Sequence, residues 1–247
     1  MIFIDKKCMI KIYDYFSQKG RLLLTGFREV GGGRLDPDYH KKYFASLLSA
    51  LAKSPYKKTK LGIHLSGINY GASVSNAYVD TGIPLLRIKD LKRNEISIDD
   101  VVYLPKNMNN ISGNCFVKEN DFLISRSGTI GVVAIVSKSI EDFAFGSYMI
   151  RFSLAENTEI NREFLAYYLN SSLMQQLVER NRIGAIQGNI TIPIIKNFPL
   201  VLPDTEKQAE ITLHISEMRK KAKCLQIEAT NILENVRQKV EQLILGQ

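Results

Sequence analysis

Apolar residues in the C-terminal part of the chain step by three and four: Ile215, Met218, Ala222, Leu225, Ala229, Ile232 and Val236, with Leu243 one heptad further on. That 3.5-residue period is the seam of a coiled coil, narrower than the stripe by which a helix packs on a globular core. It predicts a helix over 205–245, entered after the helix-blocking Pro203, with Thr205 and Gln208 forming a capping box. Roughly 40 residues at ~1.5 Å rise make a rod of ~60 Å, and its seam requires a partner.

A second helix is expected over 36–53. Asp36 is placed as its N-cap, Pro37 at the first helical position, and Asp38 at the positive end of the dipole. Tyr39, Tyr43, Phe44, Leu47, Leu48 and Leu51 share one face, and Ser54-Pro55 stops it. Residues 59–203 read as a strand-rich body, with strands expected at 84–88, 95–98, 122–125, 132–136, 149–152 and 198–202 between Gly and Asn turns. One helix interrupts them, capped by Asn161 and running through 162–181, with Phe164, Leu165, Tyr168, Leu169 and Leu177 on its buried side. Residues 1–33 alternate like a hairpin, or a loosely held extension, before the hinge-like Gly31-Gly32-Gly33. The expected fold class is α+β: a strand-rich domain followed by a long C-terminal coiled-coil helix. It divides into an extension (1–33), a lead-in helix (34–58), the body (59–203) and the helix (204–247).

Composition changes this picture little. The 247 residues, 45% hydrophobic, suffice for one good core or two small ones. No apolar run reaches the ~18 residues of a membrane span, and the charged N-terminus lacks the apolar region of a signal peptide. Three scattered cysteines, Cys8, Cys115 and Cys224, suit a reducing cytoplasm rather than a disulfide framework. The net charge of +8 points weakly to a polyanion, because all of it falls in residues 1–60, with 13 Lys/Arg against 5 Asp/Glu. The remaining residues carry 20 of each sign, so a binding surface on the body has to arise by sorting charges onto one face.

Catalytic patterns are not found. There is no Walker A run, no glycine-rich cofactor loop after a strand, no Asn/Asp-Pro-Pro-Tyr methyltransferase motif and no nucleophile–histidine arrangement. His40, His64 and His214 are isolated, without metal-ligand spacing. The expectation is a non-catalytic chain that needs no cofactor or metal of its own.

Binding chemistry is better represented. The turn Ser125-Arg126-Ser127-Gly128-Thr129 sets a guanidinium, hydroxyls and open N–H groups at the end of a strand. Such groups pair with guanine or hold phosphates; equally, Gly128 could make only a turn while Arg126 pairs with Asp121 or Glu119. Gln187 and Asn189 around Gly188 could bond adenine edges, although a turn satisfying its own backbone uses the same residues. Lys57, Lys58 and Lys60 form a basic run before the body, read as a solvated linker or a phosphate contact.

Three segments in order carry a resemblance. The first is Gly82-Ile83-Pro84-Leu85-Leu86-Arg87-Ile88-Lys89-Asp90-Leu91. The second is Asn120-Asp121-Phe122-Leu123-Ile124-Ser125-Arg126-Ser127-Gly128-Thr129-Ile130-Gly131. The third is Gly184-Ala185-Ile186-Gln187-Gly188-Asn189-Ile190, leading to Pro199-Leu200-Val201-Leu202-Pro203. With Arg34-Leu35-Asp36-Pro37 before them, they resemble the target-recognition domain and conserved-region helix of type I restriction–modification specificity subunits, over about residues 34–245.

The resemblance implies a cytoplasmic, non-catalytic DNA-specificity subunit that directs a partner adenine methyltransferase, and a restriction/translocase subunit where one exists, to a bipartite double-stranded site. S-adenosylmethionine, ATP and Mg then belong to those partner subunits. It places sequence-variable DNA contacts in loops, here Tyr70 and Ser73 in 69–73, and Lys92 and Arg93 in 92–94, beside Arg126, Ser127, Thr129, Gln187 and Asn189. Family members usually carry two such domains and two antiparallel helices, whereas this chain has one of each. The seam therefore implies a homodimer and, by symmetry, a palindromic two-part target. The alternative is an inactive half-subunit acting as a dimerisation or regulatory protein.

Overall fold

The computed structural model describes residues 39, 41–74, 78–108, 111–183 and 188–246. The extension 1–33, the helix start at Asp36 and Pro37, and Gln187 lie outside these residues. In chain order the elements are α1 (Lys42–Lys53), β1 (Lys57–Lys60), β2 (Leu65–Tyr70), β3 (Ile83–Leu86), β4 (Leu91–Lys92), β5 (Glu95–Ile96), β6 (Val102–Leu104), β7 (Phe122–Ser125), β8 (Val133–Ile135), β9 (Ala144–Phe145) and β10 (Met149–Leu154). They continue with α2 (Arg162–Asn170), α3 (Ser172–Asn181), α4 (Ile192–Lys196), β11 (Pro199–Leu202) and α5 (Thr205–Leu245). The class is α+β, strand-rich with a long last helix.

At the centre stands the four-stranded sheet β2-β10-β7-β8, antiparallel throughout. Side chains alternate across a strand, so its residues sort onto two faces. Phe122, Ile124, Val133, Ile150 and Phe152 join a core with Phe164, Leu165, Leu169 and Leu177 of α2 and α3. Leu123, Val132, Ala134 and Met149 join a second core, where Leu86 of β3 and Phe145 of β9 bring up the three-stranded sheet β6-β3-β9. Both faces are covered at β7 and β8, which is why those two strands read as near-continuous apolar runs. Phe122 and Phe152 sit directly opposite each other, ring centroids 4.8 Å apart, a cross-strand stack that holds the register.

Several expectations are corrected. The first described helix begins at Lys42, not near residue 36: Tyr39 lies in a turn and Lys41 is extended, with ψ 136°. Tyr39 is docked on α3 instead, its ring 3.9 Å from the Arg180 guanidinium and its carbonyl accepting from Arg180 Nε at 3.1 Å. Lys57, Lys58 and Lys60 are no linker but β1, antiparallel to β11. The loop expected at 69–73 begins as strand, since Asn69 and Tyr70 end β2 and pair with Arg151 and Ile150. The helix expected over 162–181 is two, split at Ser171, which donates to Tyr168 O at 2.6 Å and caps α3 by accepting from Met174 N at 3.3 Å. Asn161 does cap α2, accepting from Phe164 N at 3.0 Å.

The 3-10 turn Leu61–His64 ties β1 to the body. His64 Nε2 lies 3.2 Å from Thr59 Oγ1 and Nδ1 lies 3.5 Å from Thr158 Oγ1. Burial, and secondarily Lys57, lower its pKa. Protonation therefore opposes folding: the contribution is full above the unfolded-state value near 6.5 and is lost as pH falls through the lowered one. Thermal melts at pH 7.5 and 5.5 test this; wild type loses more Tm between them than His64→Gln, and equal losses refute it.

The long helix is capped by Asp204 rather than Thr205, the Asp204 carboxylate accepting from Lys207 N at 2.8 Å. Gln208 does not complete a capping box. Its side chain is fully buried, accepting from Asn161 N at 2.8 Å and donating to Pro203 O at 2.9 Å and Glu159 O at 3.2 Å. Those bonds and the Arg219 guanidinium, 5.8 Å over the Tyr167 ring, seat the first turns against α2. From residue 217 to the left-handed Gly246 cap every residue is exposed. The seam is bare there: Met218, Leu225, Ile232 and Val236 are 55–57% exposed and Leu243 73%. Ala222 and Ala229 are exposed with them, while Ile215 is half-buried.

Candidate nucleic-acid interface

One end of the central sheet gathers loops that are distant in sequence. The C-terminus of β2, the N-terminus of β10 and the C-terminus of β7 meet there, with Tyr70 opposite Ile150 and Met149 opposite Ser125. The loop 188–190 joins by an antiparallel bridge between Ser127 and Asn189. Gly71 makes the turn out of β2 possible; a Cβ there would stand 2.3 Å from Gly146 O, so only glycine lets the two loops approach.

Arg126 occupies the middle of this end. Its N–H donates to Tyr148 O at 2.9 Å and its carbonyl accepts from Ile190 N at 3.0 Å, so the main chain is held on both sides. The guanidinium lies over the Tyr70 ring, 4.7 Å from the centroid, and its Nη1 reaches Ser147 O at 3.5 Å. Among the described residues, Arg126 Nε is buried without a hydrogen-bond partner. The Tyr70 hydroxyl accepts from Ile192 N at 3.3 Å, which fixes the ring against α4.

The pairing of Arg126 with Asp121 is not what forms. Asp121 instead faces Arg151 on the covered face of the sheet, 3.3 Å away, with both side chains buried. Asp121 also accepts from Lys118 N at 2.8 Å and from the Ser153 hydroxyl, while Arg151 Nη1 donates to Phe116 O.

The remaining candidates divide. Ser73, three residues after Tyr70, and Thr129, three after Arg126, are exposed, whereas Ser127 is 3% exposed and withdrawn under the Asn189 bridge. Gly128, at φ 71°, turns the hairpin and leaves its tip open. Lys92 and Arg93 are exposed on the β4–β5 turn at the β8 side of the same sheet end, where Asn94 N donates to Val133 O at 2.8 Å. Asn170, buried at the end of α2, holds that turn through Asn94 Oδ1 at 2.9 Å. Lys57, Lys58 and Lys60 belong to the separate β1–β11 sheet, with Lys60 Nζ donating to Asn197 Oδ1 at 3.0 Å. Tyr148, 56% exposed beside Arg126, escaped the sequence reading; its place in a Gly146-Ser147-Tyr148 break between strands was the available signal.

Among the described residues, no group of three or more His, Cys, Asp or Glu stands close enough to hold a metal ion. No described helix is long and apolar enough to cross a membrane. Burial pushes the Tyr168 hydroxyl up to about 12; it donates to Pro199 O at 3.0 Å and serves the packing of β11. What the sheet end offers is hydrogen-bond donors, a stacked cation and exposed tyrosine.

The chain is similar to known proteins. The specificity subunit of the EcoBI type I restriction enzyme of Escherichia coli is 25% identical over 167 residues, covering 68% of this chain and 35% of that protein. The solved HsdS subunit of Thermoanaerobacter tengcongensis shares the fold at a TM-score of 0.51 and 17% identity, over 89% of this chain and 51% of its own. A structure described for complex assembly and conformational transition of the type I restriction–modification system matches at 0.51 and 18%, over 89% and 52%. The chain thus spans about a third to a half of the length of these relatives. A family model, the type I restriction modification DNA specificity domain, matches residues 72–235, from the turn after β2 through most of the long helix. This chain belongs to the type I restriction–modification DNA specificity family.

Proposed function

We propose that the chain is a non-catalytic sequence-specificity subunit that places a partner adenine methyltransferase, and a restriction subunit where the system has one, on a bipartite double-stranded DNA site. The observation that carries this reading is a bare heptad seam projecting from a domain of the DNA specificity family. The Arg126 end of the sheet supplies the DNA surface, with backbone contacts that position and base-edge contacts that specify. S-adenosylmethionine, ATP and Mg are handled by the partners. A second copy of the chain covers the seam, and the twofold axis makes the target a palindrome in two parts.

The test is methylation mapping of genomic DNA from cells expressing the chain with the methyltransferase subunit of its own system. A palindromic two-part motif carrying methyladenine, absent without the chain, is expected. An asymmetric motif replaces the homodimer by pairing with a different half. No new methylation, with both proteins folded and abundant, favours the second reading, an inactive half-subunit that dimerises or regulates.

A further inference from the structure

Most of the donors gathered at the Arg126 end of the sheet are spoken for by the fold, and the exceptions lie together. Among the described residues, Arg126 Nε is buried with no partner, and the one hydrogen bond of the guanidinium is the 3.5 Å reach to Ser147 O. Two residues on, Gly128 and Thr129 are exposed, and among the described residues their N–H groups meet no acceptor. Gly128 is left-handed, the conformation one residue of an anion-binding turn of N–H groups adopts. Ser125 holds the far side of the hairpin, accepting from Val132 N at 2.9 Å and donating to Thr129 O. The Thr129 carbonyl is thereby turned into the hairpin.

We infer that the hairpin 126–129 is a seat for one backbone phosphate of DNA, formed by the Arg126 guanidinium, the Gly128 and Thr129 N–H groups and the Thr129 hydroxyl, with Tyr70 as the positioning residue that holds the guanidinium flat. The inference rests on the DNA-binding reading above and deepens it by assigning this hairpin to the backbone rather than to a base. Three features favour phosphate over guanine. The side chain is pinned with its guanidinium over the Tyr70 ring and its Nη1 reaching Ser147 O at 3.5 Å, which limits its freedom to follow a base edge. Its Nε is buried and so cannot join a side-on bidentate pair with a base edge. The open donors beside it are main-chain N–H groups, which hold phosphates and carry no sequence information. Tyr70 is fixed through the Ile192 N–H, and a guanidinium over an aromatic face is held by cation–π attraction.

The test needs no knowledge of the target. The full-length chain is titrated with a labelled 40-base-pair duplex of random sequence across a KCl series, and log K is plotted against log salt concentration. Each phosphate neutralised contributes about 0.9 to the slope. Arg126→Gln is expected to reduce the slope by about 1 and the affinity roughly five- to tenfold at ~0.15 M salt, alike for every sequence. Tyr70→Ala reproduces much of the affinity loss, while Tyr70→Phe, which keeps the ring but loses its tether to Ile192 N, restores a good part of it. Thermal melts of each variant separate lost binding from lost folding. An unchanged slope in a folded Arg126→Gln variant overturns the phosphate seat, and a change confined to one base of the methylated motif reassigns Arg126 to base reading. If the wild-type chain shows no salt-dependent DNA binding, the DNA-binding reading itself fails.

Discussion

Arg151→Met is expected to lower stability by about 3–5 kcal/mol, because it leaves the Asp121 carboxylate buried without its counter-charge. The Arg151 side chain is 11% exposed and that of Asp121 5%, on the face of the central sheet covered by the β6-β3-β9 layer. Removing the guanidinium also strips a donor from Phe116 O, while Lys118 N and the Ser153 hydroxyl stay on the carboxylate and soften the loss. A buried pair is costly to break and much cheaper to replace whole. Asp121→Asn combined with Arg151→Met therefore recovers a good part of the deficit, since asparagine still accepts from Lys118 N. Urea unfolding reads the effect as a lower midpoint at unchanged slope. A single variant within 1 kcal/mol of wild type, or a double variant no better than the single, would remove this pair from the account of stability.

That pair also shows what the sequence could not disclose. Asp121 and Arg151 are joined only because β7 and β10 are neighbours in the sheet, and local spacing carries no trace of it. An arginine in Met149-Ile150-Arg151-Phe152 reads as the solvent position of an alternating strand. By contrast β7, expected over 122–125, is observed there, because a run apolar on both faces is legible wherever both faces are covered. The 205–245 helix was legible for a different reason: Pro203 blocks entry upstream and the heptad repeats to the end. The strands that were missed are short or polar. Lys57–Lys60 becomes strand through pairing with Pro199–Leu202, and Leu65–Tyr70, with Ser, Gly and Asn inside it, through pairing with β10. Such tertiary pairing overrides weak local propensity. At the candidate interface Tyr70 and Arg126 each stand out within their own loops, but their stacking across 56 positions belongs to the fold. Asp204 won the helix cap from Thr205 because Gln208, the partner Thr205 needed, is consumed by Asn161, Glu159 and Pro203.

Ile232→Asp together with Val236→Asp is expected to turn a dimeric chain monomeric without unfolding it. The two residues lie one helical turn apart on the seam and are 56% and 55% exposed, with no described residue of the body covering them. In the twofold dimer proposed above, four such side chains leave water. At ~1.5 kcal/mol or more each, their loss, with carboxylates in their place, weakens association by on the order of 5 kcal/mol, over a thousandfold in Kd. The fold itself depends on Gln208 and the turns against α2, so stability of the dissociated chain should move by less than about 0.5 kcal/mol. Light scattering over a concentration series reads the association and thermal unfolding at low concentration reads the fold. Ala222 and Ala229 sharpen the expectation, because small residues at alternate seam positions allow the helices to approach closely, and Ala229→Leu should weaken the dimer by overfilling that gap. A double variant that stays dimeric places the contact off the seam, and with it goes the reason for expecting a palindromic target.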